Sequence, residues 1–192
     1  MSNDVWGKAA TLIQESLAID ATNPKTQHLQ GTFLLLQDNI DGAIKTFEYA
    51  YSKSPTSPII QRSLASAYLR KGMRKEALTL IERMLKETPD PFTKLLYAQL
   101  TNDEDNAQAN KLYQEVTQTL SLLPEDIRVN RSDITLINAL AAYFQQNFEQ
   151  AANELQRYVK NVPKNINALK LLVDTFIQLE QFSNAVRILE AN

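Results

Sequence analysis

Residues 24–57 read PKTQHLQGTFLLLQDNIDGAIKTFEYAYSKSPTS, and residues 58–91 read PIIQRSLASAYLRKGMRKEALTLIERMLKETPDP. Both stretches open on proline, and both carry apolar residues at i, i+3, i+4 and i+7, the helical period. Laid over one another at an offset of 34 residues, they align Pro24 with Pro58, Ala43 with Ala77 and Pro55 with Pro89. A unit of that length holds two helices and the turns that join them. The prolines sit where one helix stops or the next begins, since proline has no N–H to donate and constrains the residue before it.

The same register runs outward in both directions. Ala9 lies 34 residues before Ala43, and Ala151 lies 34 before Ala185. From Ala77 to Ala151 is 74 residues, two periods and six residues more, so one unit in the middle is longer than its neighbours. Further breaks fall at Asp38-Asn39, Lys71-Gly72, Thr101 to Asp105, Leu123-Pro124, Gln146-Asn147, Val162-Pro163 and Glu180-Gln181. No stretch alternates as a strand does. The expected fold is all-α: about eleven helices joined by short turns.

These residues resemble the tetratricopeptide repeat family. One unit carries Gly31, Ala43, Phe47, Ala50 and Pro55 at the family's marked positions. The next carries Leu64-Ala65, Tyr68, Gly72, Ala77, Ile81 and Pro89, with Met84 where alanine is usual; a later one carries Ala139, Phe148, Ala151, Leu155 and Pro163, with Tyr158 in place of alanine. The last carries Leu172, Phe176, Phe182, Ala185 and Leu189. The resemblance implies a right-handed α-solenoid in which small residues let paired helices approach and stacked units supply one continuous core. The expected organisation is a single solenoid segment over 1–192. Its units run about 1–23 (a second helix only), 24–57, 58–90, 91–131 (irregular and longer), 132–165 and 166–192 (truncated). In the irregular unit Asn102 to Asp105 makes the turn and the second helix runs on past Leu120. Ser132 is the expected N-cap of a helix from Asp133 to Phe144. Trp6 is expected to pack at the start of its helix.

Both ends read as cut. Trp6 to Asp20 matches a second helix with no first helix before it, and Ala185 to Asn192 stops inside a second helix. The expectation is a segment of a longer bacterial array whose ends can self-associate. The N-terminus shows no targeting segment, and no run approaches the roughly 20 apolar residues of a membrane span. The segment therefore reads as soluble and does not insert into a membrane.

Composition narrows the chemistry. The 192 residues include four glycines, one histidine and no cysteine, with a formal charge of −2. Glycine-rich phosphate loops, thiolate metal sites, disulfides and cysteine nucleophiles are thereby set aside. His28 alone builds neither a histidine metal cluster nor a catalytic triad. Asp103-Glu104-Asp105 lacks the spacing of a calcium loop and fits a turn before a helix N-terminus. Residues 1–96 hold twelve basic against ten acidic side chains, which is no footprint for nucleic acid. The basic run Arg70 to Lys75 reads as a solvated turn, with attraction of an acidic peptide as the sharper alternative. No catalysis, cofactor or metal is expected.

The resemblance also implies where a ligand would lie, along a concave groove lined by the first helix of each unit. Carried over by register, its candidate residues are Leu35, Leu36, Arg62, Leu69, Arg70, Leu95, Leu136, Leu140, Tyr143, Phe144, Lys170 and Asp174. The family's carboxylate clamp is missing, because its positions hold His28, Thr32, Ser63, Phe92 and Leu96. The expected function is a scaffold that binds a protein or peptide segment in the groove. The rival is a structural spacer, motivated by the similarity of Leu140 to Asn192 to repeats in long bacterial envelope arrays linked to exopolysaccharide export and PEP-CTERM sorting.

Overall fold

A computed structural model describes residues 2–191, with side chains from residue 7 onward. Trp6 lies outside the described side chains. Among the described residues there are twelve helices and no strand. They are α1 (Ser2–Ile19), α2 (Pro24–Leu36), α3 (Ile40–Lys53), α4 (Pro58–Lys71), α5 (Arg74–Glu87), α6 (Pro91–Thr101), α7 (Asn106–Ser121), α8 (Glu125–Asn130), α9 (Ser132–Phe144), α10 (Phe148–Asn161), α11 (Ile166–Gln178) and α12 (Phe182–Ala191). Five helix-turn-helix pairs result: α2 with α3, α4 with α5, α6 with α7, α9 with α10, and α11 with α12. The chain forms two compact units, Met1–Thr88 and Pro89–Asn192.

The helix starts follow from the punctuation. Pro24, Pro58 and Pro91 each occupy a first helical position, where a missing N–H costs nothing. Asn23, Asn39, Asp90, Asp105, Asn147 and Asn165 cap their helices by accepting backbone N–H groups. In four of the five pairs the chain reverses through one left-handed residue, Asp38, Gly72, Gln146 or Glu180; the longer turn between α6 and α7 has none. At each of these four reversals the next N–H reaches back to the carbonyl five residues earlier, as Asn39 does to Leu34 at 2.9 Å and Gln181 to Phe176 at 2.8 Å.

In the first unit α1 packs on α2, and α3 packs on α4. Ala43, Phe47, Ala50, Ala65, Ala77 and Ile81 are fully buried there. Gly31 is small for a reason: a Cβ on it would stand 2.5 Å from the Phe47 ring. In the second unit one core cluster joins Leu95, Ala98, Ala109, Tyr113, Val116, Leu120 and Ala141. A second joins Ala139, Leu155, Leu172, Phe176 and Ala185.

The irregular unit differs from expectation in two places. The turn at Asn102–Asp105 forms, with Asp105 capping α7 through Gln108 N–H at 2.9 Å. After α7 ends at Ser121, however, residues 125–130 coil into a twelfth helix rather than a linker. Ser132 is not an N-cap but the first residue of α9; Arg131 takes the extended cap conformation without a side-chain cap bond. The cause is Thr135, whose hydroxyl donates toward the carbonyls of both Arg128 (3.1 Å) and Arg131 (3.2 Å). That double contact ties α8 to α9 and leaves a single residue to make the bend.

Candidate functional site

In the first unit the candidate residues lie on α2 and α4. Leu36 is exposed, while Leu35, Arg62 and Leu69 are half-buried. Arg70 is exposed but engaged: its guanidinium donates to the Leu35 carbonyl at 3.2 Å and to Asp38 at 3.0 Å. Lys71 pairs with Asp41 at 2.9 Å. Two cations of the basic run are therefore spent on the acidic turn of the preceding helix pair. Being exposed, these pairs contribute little stability, but they orient α4 against the end of α2.

His28, on the groove face by register, is a packing residue. Its Nε2 meets Ser63 Oγ at 2.9 Å, and its ring tilts over Phe47 at 5.6 Å. Burial pushes its pKa below the ordinary histidine value. Two positions of the clamp frame, His28 and Ser63, thus bond to each other across α2 and α4.

In the second unit the candidates lie on α6, α9 and α11. Leu95 is a correction: at 3% exposure it belongs to the core around Tyr113 and faces no ligand. Pro91 starts α6 in a phase that turns Leu95 and Ala98 toward α7, the one-face-in pattern of an amphipathic helix. Leu140 and Phe144 are half-buried and pack against that same core, and Leu136 packs against the other. Phe144 stacks on Tyr113 with centroids 5.4 Å apart. Tyr143 meets the rings of Phe144 and Phe148 edge-on at 5.5 and 5.6 Å.

Tyr143 also donates its hydroxyl to Asp174 of α11, so the register brings these two candidates into direct contact. The hydrogen bond to Asp174, then burial, then the Asp174 charge push the Tyr143 phenol up to about 12. Lys170 is exposed at the rim of a cleft of about 470 Å³, over Leu169, Val173 and Ile188.

The apolar side chains that do stand in solvent on these first helices are Leu29 (56%), Leu36 (63%), Ile59 (56%), Phe92 (40%), Ile166 (65%) and Ile177 (46%). By register Leu36, Ile59, Phe92 and Ile177 occupy groove positions, though only Leu36 was among the candidate residues; Leu29 and Ile166 fall outside that register. The missing signal was helix phase: half a turn separates Leu29 from a buried position, and no residue type marks the difference. Among the described residues no group of three histidine, cysteine or carboxylate side chains could hold a metal, and no helix is long and apolar enough to cross a membrane.

The tetratricopeptide repeat profile matches residues 34–100 and again residues 138–191, together more than half of the chain. No curated protein sequence matches it. Among solved structures, a chain of the APC/C hetero-tetramer Cut9–Hcn1 is similar at 14% identity and TM-score 0.71, over 97% of this chain. The chain spans only 36% of that relative's length. A thermophilic repeat protein of Thermus thermophilus is similar at 17% identity and TM-score 0.64, over 86% of this chain and 87% of its own. YrrB, described as a repeat protein with an unusual peptide-binding site, is similar at 16% identity and TM-score 0.52, over 88% of this chain and 84% of its own. At these identities the likeness is one of fold.

Proposed function

The chain belongs to the tetratricopeptide repeat family, and from that premise we propose that it is a non-catalytic scaffold holding a protein or peptide segment against the exposed faces of its first helices. The fold commonly serves protein interaction, and the similar YrrB carries a peptide-binding site of its own. One observation carries the reading furthest. At ligand-facing positions of α2, α4 and α11, the apolar side chains Leu36, Ile59 and Ile177 stay about half exposed or more. Apolar side chains left in water at such positions favour a partner that covers them. Arg62, Leu69 and Arg70 flank that face in the first unit. Leu136, Leu140, Tyr143, Phe144, Lys170 and Asp174 form the corresponding wall in the second, with Lys170 and Asp174 as the polar groups that orient the ligand.

The packing decides which variants test this. Tyr143 is held by two rings and by Asp174, so a charge there damages the fold as well as the face. Leu36→Glu with Ile59→Glu places two charges on exposed positions instead. A crosslinked pull-down from the source cells compares this variant with the native chain, and a thermal melt checks that both fold alike. The reading expects a partner retained by the native chain and lost by the variant. Equal capture of the same partner by both would move binding off this face.

A further inference from the structure

A second cleft, of about 470 Å³, lies in the first unit, lined by α3, α4 and α5. Its apolar floor is Leu64 and Leu80, both buried. Tyr68 and Tyr51 supply aromatic walls, and Glu48, Glu76, Lys75 and Arg83 supply the charge. These charges are not equivalent. Arg83 donates to Glu87 at 2.7 Å, so its charge is already offset. Its guanidinium also lies over the Tyr51 ring, 5.9 Å from the centroid, so that ring face is taken by Arg83 and the Tyr68 ring is the aromatic wall left for a ligand. Glu76 has no hydrogen-bond or ion-pair partner among the described residues. Glu48 accepts from the Tyr68 hydroxyl at 2.8 Å and keeps the rest of its accepting capacity. Two carboxylates thus face a single unoffset cation, the exposed Lys75.

The Tyr68 hydroxyl lies within the cleft, bonded to Glu48. Burial raises its pKa first; the hydrogen bond to Glu48 and the charges of Glu48 and Glu76 raise it further. The carboxylate contributions, smaller than that of burial, mark Glu48 and Glu76 as near neighbours of the phenol oxygen. A carboxylate pair beside an aromatic face over an apolar floor matches one side chain best. Arginine has an apolar stem, a flat face for stacking and a fork of donors for carboxylates.

We propose that this cleft on α3, α4 and α5 is a docking site for an arginine side chain presented by a peptide partner, with Glu48 and Glu76 binding the guanidinium and Leu64, Leu80 and Tyr68 covering its stem. The site combines the second helices α3 and α5 with Leu64 and Tyr68 of the first helix α4, and it shares none of Leu36, Ile59, Arg62, Leu69 or Arg70 with the first-helix face. It is small and open to solvent, so a single residue binds weakly and a longer partner adds the remaining contacts.

The test is a nuclear magnetic resonance titration of the full chain with N-acetyl-arginine methylamide. The citrulline analogue, neutral and nearly the same shape, is the control, and N-acetyl-glutamate methylamide probes for the opposite charge. Saturable shifts at Glu48, Tyr51, Tyr68, Glu76 and Thr79 are expected with the arginine probe and not with the other two. Glu48→Gln with Glu76→Gln should weaken binding roughly threefold to tenfold, and Lys75→Gln should strengthen it. Should the double variant lose the native spectrum, Glu76→Gln alone is used, since that side chain bonds to nothing described. Equal response to citrulline, preference for the glutamate probe, weaker binding in Lys75→Gln, or shifts scattered over all acidic surface would overturn the proposal. The Leu36→Glu/Ile59→Glu variant should titrate as the native chain does, which separates failure here from failure of the first-helix reading.

Discussion

At the scale of single residues, Tyr113 and His28 show how the repeat pattern tolerates polar atoms inside. Tyr113 is completely buried, and its hydroxyl has no hydrogen-bond partner among the described residues. Its ring earns that place by stacking on Phe144, while the oxygen has lost water and gained nothing. Tyr113→Phe keeps the stacking and removes the unpaired group, so a stabilisation of about 1 kcal/mol is expected in urea denaturation. A loss of stability would mean that the hydroxyl is bonded in solution. His28 acts through its charge. Because burial lowers its folded pKa, the unfolded chain binds the proton more readily. The contribution of neutral His28 to stability is therefore complete above the ordinary histidine range and is lost as pH falls through it. The denaturation midpoint should drop between about pH 7.5 and about pH 5.5, and His28→Gln should flatten that slope. The carboxylates with lowered values, such as Glu87 and Glu115, lose their contributions only in a more acidic window.

At the scale of elements, the turn between paired helices recurs with nearly fixed geometry while its chemistry drifts. The residues before α3, α5 and α10 have φ, ψ of −84°, 75°, of −81°, 64° and of −83°, 71°. Asn39 and Asn147 use that conformation to cap their helices, accepting from Gly42 N–H and Gln150 N–H at 3.0 and 3.3 Å. Met73 holds the same conformation with no side-chain cap bond. Met73→Asn should therefore supply the missing acceptor. Helix caps contribute about 1 kcal/mol, and loss of half-buried Met73 offsets part of that. The expected result is a melting temperature raised by a degree or more, and slower amide exchange at Glu76 within the first turn of α5. An unchanged exchange rate there would show that the asparagine does not cap.

At the scale of the whole molecule, the repeat was legible because packing writes it in residue size: Gly31, Ala43, Ala77, Ala151 and Ala185 must be small where helices touch. Proline or asparagine marked more than half of the helix starts for equally local reasons. The short helix α8 was not legible, since its placement depends on Thr135 bonding to two carbonyls, a tertiary fact. The site was legible only as a set of positions. Leu95 fell into the core and Leu29 out of it because half a turn of helix phase separates the two environments. Tyr143 and Asp174 were both chosen, yet nothing in their spacing announced that they bond to each other. The cores themselves obey the same local logic. Both clusters of the second unit, around Tyr113 and around Leu172, are built wholly from residues after Pro89. In repeat proteins stability is a sum of unit and neighbour terms rather than one indivisible whole. A chain of residues 89–192 should therefore fold by itself, with a helical circular dichroism spectrum and a cooperative urea transition. A non-cooperative transition with exposed, dye-binding apolar surface would show that residues before Pro89 are needed to complete these cores.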